Sequence, residues 1–157
     1  MTRSSLAVNL YAKRTGEPAG VLVVEDDEAL RSTLVEAFRA DGNRVFEAAD
    51  GAEALDYVVN PVRKPDLFVC EIRIPVFSGL DLLSSLRRRD WSTPVILFDR
   101  FGEADFRDEA IRLGAETVLG SPFSIERLRA AVASVLTLSR GPLPLKVAGS
   151  PWPPRDR

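Results

Sequence analysis

Four short, unbroken apolar runs constrain this chain more than any other feature. Val21-Leu22-Val23-Val24, Leu67-Phe68-Val69-Cys70, Val95-Ile96-Leu97-Phe98 and Thr117-Val118-Leu119 each read as a strand, and Arg44-Val45-Phe46-Glu47-Ala48 supplies another between the first two. A strand without polar alternation must be covered on both faces, which parallel sheets achieve by carrying helices on either side. The segments between and after the runs have helical period: Leu30, Leu34 and Phe38; Ala54, Leu55 and Val58; Leu80, Leu83 and Leu86; Phe106, Ala110 and Ile111 within 103–113; and Ile125, Leu128, Val132, Val135 and Leu136. Asp26 or Asp27 caps the first helix and Gly42 ends it, Asp50 opens the second and Pro61 stops it, and Gly114 closes the fourth. Five strands alternating with five helices predict right-handed βαβ units. Ligands of such sheets sit beyond the carboxyl ends of the strands, where the strand order reverses. The residues in those places are Glu25, Asp26, Glu71, Asp99 and Ser121.

Composition narrows the chemistry. The chain has 157 residues, enough for one domain, and 45% are apolar, enough for a core. It has no His, which removes His-based zinc sites, Ser–His activation and any role as a histidine phosphodonor. A single Cys forms no internal disulfide, so a cytoplasmic setting is expected, and Cys70 reads as a small core residue, with redox sensing as the alternative. No apolar run is long enough to span a membrane, and Lys13, Arg14 and Glu17 break up any leader. Residues 21–139 carry 14 basic and 21 acidic side chains, which argues against direct nucleic-acid binding by the folded part. The reading divides the chain into a flexible segment 1–20, a folded unit 21–139 and a Pro-rich tail 140–157, too short in packable residues to fold a helix-turn-helix.

The motifs at the strand ends carry a resemblance. Glu25-Asp26-Asp27, the stretch Asp66 to Gly79 with Glu71 and Pro75, Thr93 to Asp99, and Gly114 to Phe123 with Ser121-Pro122 resemble, in order and spacing, the receiver domain of two-component response regulators. The resemblance covers about 21–138 and implies an α/β, flavodoxin-like (βα)5 doubly wound sheet in strand order 2-1-3-4-5, with a cis peptide before Pro122. It also implies roles. Glu25 and Asp26 match the acidic pair, where Mg²⁺ would sit, although none is expected to be required; Glu71 matches the phosphoacceptor; Asp99 and Val118 match the switch hydroxyl and aromatic; Ser121 matches the lysine.

Three of those matches change the chemistry. Acyl-phosphate formation needs an in-line carboxylate, a bridging metal and donors for the equatorial oxygens. Glu71 is one methylene too long, by about 1 Å. Ser121 removes a cation, and Asp99 replaces a hydroxyl by a like charge. The expectation is an atypical, stand-alone receiver, not an enzyme and not phosphorylated, that acts through constant shape. A phospho-accepting receiver with drifted residues and, from another class, a Mg²⁺-dependent phosphohydrolase are the alternatives.

Four carboxylates in one pocket would raise one another's pKa without a cation. Arg73 and Arg100 are the candidates to supply one, because a guanidinium fork matches carboxylates. The implied output face is strand 4, helix 4 and strand 5, with Phe101, Asp105, Phe106, Asp108 and Arg112, and its partners would be a kinase, an output protein or a second copy. Arg87-Arg88-Arg89 reads as a solvated helix end suited to the dipole, with a partner contact as the alternative.

Overall fold

The structure, a computed structural model, describes residues 17–60, 64–102 and 106–140. Expectations about residues 1–16 and 141–157, about the stop at Pro61 and about Asp105 lie outside those residues. The described chain alternates strand and helix: β1 (Gly20–Val24), α1 (Glu28–Ala40), β2 (Arg44–Ala48), α2 (Gly51–Val59), β3 (Leu67–Glu71), α3 (Gly79–Arg88), β4 (Val95–Phe98), α4 (Arg107–Arg112), β5 (Thr117–Leu119) and α5 (Ile125–Arg140). The strands form one parallel sheet in the order β2-β1-β3-β4-β5, the flavodoxin-like arrangement. The order reverses beside β1, between β1 and β3, so the crevice there is where a doubly wound sheet binds.

Alternation along each strand builds two cores. Leu22, Val24, Phe68, Cys70, Val95 and Leu97 face one side and pack with Ala54, Val58, Leu82, Leu83, Leu86 and Ala110 from α2, α3 and α4. Val21, Val23, Leu67, Val69, Ile96 and Phe98 face the other and pack with Leu34, Val35, Phe38, Leu128 and Val132 from α1 and α5. Each fully buried Leu or Phe removes enough apolar surface from water to contribute about 1.5–3 kcal/mol. These strands therefore have no polar face to show, which is why their sequences are unbroken.

Asp27 and Asp50 cap α1 and α2 through their carboxylates, as the sequence predicts. Ser78 and Asp81 form a reciprocal capping box that starts α3, and this feature was not anticipated. Of the helix expected over 103–113, the described residues form Arg107–Arg112, with Phe106 and Leu113 as its flanking caps, while 103–105 lie outside the described residues. Phe106, the residue before it, has no side-chain oxygen to cap the exposed N–H groups. The Ser121–Pro122 peptide is cis. Among the described residues no helix is long and apolar enough to cross a membrane.

Candidate functional site

The parallel register brings the carboxyl ends of β1, β3 and β4 into line, with Val24 beside Cys70 and Glu71 beside Phe98. The residues that leave those ends therefore converge. Glu25, Glu71 and Asp99 are all buried. Asp26 and Asp27 lie at the rim and are exposed.

Each carboxylate has defined partners. Glu25 accepts the Asp27 N–H on Oε1 at 3.0 Å, while Arg31 clamps the Glu25 carbonyl at 2.8 Å. Asp99 turns back on its own loop, its Oδ1 accepting the N–H groups of Phe101 and Gly102, both at 3.0 Å. Glu71 reaches two loops at once. Its Oε1 accepts the Arg73 N–H at 3.3 Å and its Oε2 the Arg100 N–H at 3.0 Å. The β3–α3 and β4–α4 loops are thus tied together through one buried side chain.

Arg100 supplies the charge compensation. Its Nη1 lies 3.3 Å from Glu25 Oε1 and 3.2 Å from Asp27 Oδ2, and its Nη2 lies 3.6 Å from Asp26 Oδ1. The Phe101 ring holds the same guanidinium from another side, 4.4 Å from its centroid. Of the two arginines weighed from the sequence, Arg100 is the one that enters the acidic pocket. Arg73 offers its backbone N–H to Glu71, and its guanidinium lies over the Phe106 ring at 5.7 Å.

One guanidinium does not offset this burial. Loss of solvent pushes the Glu25 carboxyl up to about 7, with Glu71 and Asp26 adding repulsion against the attraction of Arg100. Burial likewise pushes Glu71 up to about 7, opposed by its two backbone N–H donors and reinforced by Asp99. Burial, then Glu71 and Glu25, hold the Cys70 thiol well above its ordinary range. The thiol packs in the core as a small hydrophobe, and its burial favours the protonated form.

The donor set does not fit a divalent cation. Mg²⁺ demands a near-ideal octahedron of oxygens at about 2.0–2.1 Å. Here a guanidinium lies on the oxygens of Glu25 and Asp26 that would have to provide part of it. With Arg100 lying on those oxygens, no group of three or more Cys, Asp or Glu side chains among the described residues is set to hold a metal ion.

The remaining expected positions are dispersed. Val118 is buried and Phe106 half-buried, both in the core under α4. Ser121 is exposed, as are Asp108, Arg112 and Phe101. The loop after Glu71 holds Val76 at φ 73, a conformation that strains a β-branched residue, with its side chain in solvent. The contribution of Asp27 to the pocket was missed, since a helix cap already explained it. The amides that hold Glu71 left no signal at all, because every residue but proline has one.

Comparison with known proteins agrees with this architecture. A family model for the response regulator receiver domain matches residues 21–133. Sporulation initiation phosphotransferase F of Bacillus subtilis is 36% identical over 118 residues, covering 75% of this chain and 94% of that protein. Regulator of RpoS from Escherichia coli is 37% identical over 117 residues, 74% of this chain but 34% of that protein. Several other relatives are also longer; the chain spans 60% of the transcriptional regulatory protein PrrA of Mycobacterium tuberculosis. Among solved structures, the Francisella response regulator 1452 receiver domain superposes with a TM-score of 0.70 at 29% identity, covering 77% of this chain and 98% of that one. The non-phosphorylated HemR receiver domain from Leptospira biflexa gives 0.70 at 28% identity, covering 78% and 98%. The chain belongs to the response regulator receiver domain family of two-component signalling.

Proposed function

We propose that this receiver is an atypical one that signals by constant shape, without being phosphorylated. The observation that carries the proposal is the Glu71 carboxylate, buried and bonded through its two oxygens to the amides of Arg73 and Arg100. Those amides belong to the two loops that an anion attached at position 71 would have to bridge. The extra methylene of Glu lets the side chain do so by itself. Its oxygens are consequently neither exposed nor free for in-line attack on a phosphodonor. Near neutral pH the carboxyl is also partly protonated, which weakens it as a nucleophile.

The surroundings support the same reading. Asp99 has turned its carboxylate onto its own loop, so no hydroxyl is there to follow a phosphoryl group. Ser121 offers no cation, and the acidic pair is taken up by Arg100. The domain would then act as a binding module that requires no Mg²⁺ and catalyses nothing. The surface for a kinase, an output protein or a second copy is the β4–α4–β5 face, where Phe101 and Ile111 are about half exposed beside Asp108 and Arg112.

Intact mass after incubation with acetyl phosphate and Mg²⁺ tests the proposal. The wild-type chain should keep its unmodified mass. A phosphoryl adduct that disappears in Glu71→Gln would show that Glu71 is an acceptor and overturn the reading.

A further inference from the structure

The acidic pocket carries its own cation, and this has a consequence independent of whether Glu71 accepts phosphate. Three successive residues, Glu25, Asp26 and Asp27, present carboxylate oxygens to one guanidinium at 3.2–3.6 Å. They converge because Glu25 leaves the buried end of β1 while Asp27 is turned by its role as the cap of α1. The guanidinium is held independently of them. The backbone N–H of Arg100 is bonded to Glu71, which fixes the start of its loop, and the ring of the next residue, Phe101, lies against the guanidinium. The planar fork of a guanidinium lying against a ring suits several carboxylates at once.

The pairing is nevertheless incomplete. Glu25 is entirely buried, yet among the described residues its Oε2 has no hydrogen-bond partner, and neither has Arg100 Nε. A buried carboxylate oxygen without a donor either carries the proton that burial makes Glu25 retain or, once ionised, is left to be met by a cation. A guanidinium cannot meet it, because its donors point along fixed directions and Nη1 is already shared between Glu25 and Asp27. A compact divalent ion bound by oxygens has no such directional constraint, and the rim position of Asp26 leaves room for water ligands.

We propose that Arg100 is a built-in substitute for a hard divalent cation, so that the Glu25–Asp26–Asp27 pocket excludes Mg²⁺ or Mn²⁺ as it stands and becomes a site for one when the guanidinium is removed. Exclusion has two sources. The guanidinium lies on the oxygens that would ligate the metal, and its charge repels a second cation at contact distance.

Mn²⁺ provides the probe, since the electron paramagnetic resonance signal of the free ion falls as it is bound and no phosphodonor is needed. The full chain should leave that signal unchanged, and Arg100→Ala should take up one Mn²⁺ per chain with an affinity raised about 100-fold or more. Arg100→Gln, which keeps most of the stem and a polar head, guards against a failure of the alanine variant to fold and should also bind. Arg100→Lys, which restores the charge, should remain refractory. Mg²⁺ should raise the thermal midpoint of the alanine and glutamine variants and leave that of the wild type in place. Wild-type binding as tight as that of Arg100→Ala would overturn the proposal, and so would an absence of binding in variants shown to be folded by circular dichroism.

Discussion

The wild-type protein should become more stable as the pH is lowered from about 8 to about 5, the reverse of what paired surface carboxylates produce. Glu25 and Glu71 ordinarily titrate at 4.5, and burial lifts both to about 7 in the folded state. A raised folded value means that the native protein retains protons which the unfolded chain releases. Their contribution is therefore fully present below 4.5 and is lost as the pH rises through 7. A displacement of this size is worth about 3 kcal/mol for a single group. The two carboxyls face each other in one pocket and titrate together, so the pair should contribute on the order of 3–5 kcal/mol rather than a simple sum. For a domain of this size that corresponds to a rise in Tm of roughly 10–15 °C. Asp41 acts in the opposite sense because Arg129 holds its carboxyl below the usual range, but that loss occurs below 3.8, outside the window. Urea unfolding across the pH range should give the falling profile, and Glu71→Gln should flatten it without abolishing it, since Glu25 remains. A flat or rising wild-type profile would contradict the pocket electrostatics.

A second large effect should come from Arg87. Its Nη1 donates to the carbonyls of Trp91 at 2.7 Å and Thr93 at 3.0 Å, and its Nη2 donates to that of Gly114 at 2.8 Å. The side chain pins the end of α3 both to the segment that leads into β4 and to the turn before β5. Gly114 sits so close, at φ +96, that a Cβ there would meet Arg87 Nε at 3.0 Å. Burial holds the guanidinium below its ordinary pKa, though still protonated. Arg87→Ala leaves partly buried carbonyls without donors, at a cost of about 2–3 kcal/mol. Arg88→Ala, on the exposed side of the same helix, should change stability by no more than about 0.5 kcal/mol. Equal losses from the two would show that the run acts through its charge alone.

These two cases show where the sequence is legible and where it is not. β1, β3 and β4 could be read because a strand buried on both faces has to be apolar throughout, as Val21–Val24 is. The acidic residues after them could be found because a parallel sheet collects its strand ends. Arg87 was read as part of a solvated run, since its carbonyl partners come from residues that approach only after α3 and α4 have packed. The choice between Arg73 and Arg100 was likewise open. Both follow a pocket carboxylate within two positions, and only the paths of the loops decide that one guanidinium lies over Phe106 and the other over Glu25. Phe106 was placed inside α4 and is its cap, because an apolar stripe gives the period of a helix but not its cap.

The central claim is that the loops around Glu71 already have their final arrangement. Amide ¹H–¹⁵N spectra recorded before and after addition of beryllofluoride and Mg²⁺, which together imitate an acyl phosphate, test this most directly. The account predicts superimposable spectra, with the amides of Arg73 and Arg100 unmoved and slow to exchange. Displaced resonances for Arg73, Arg100 and Val118 would mean that the pocket still takes up the group and switches, and would contradict it.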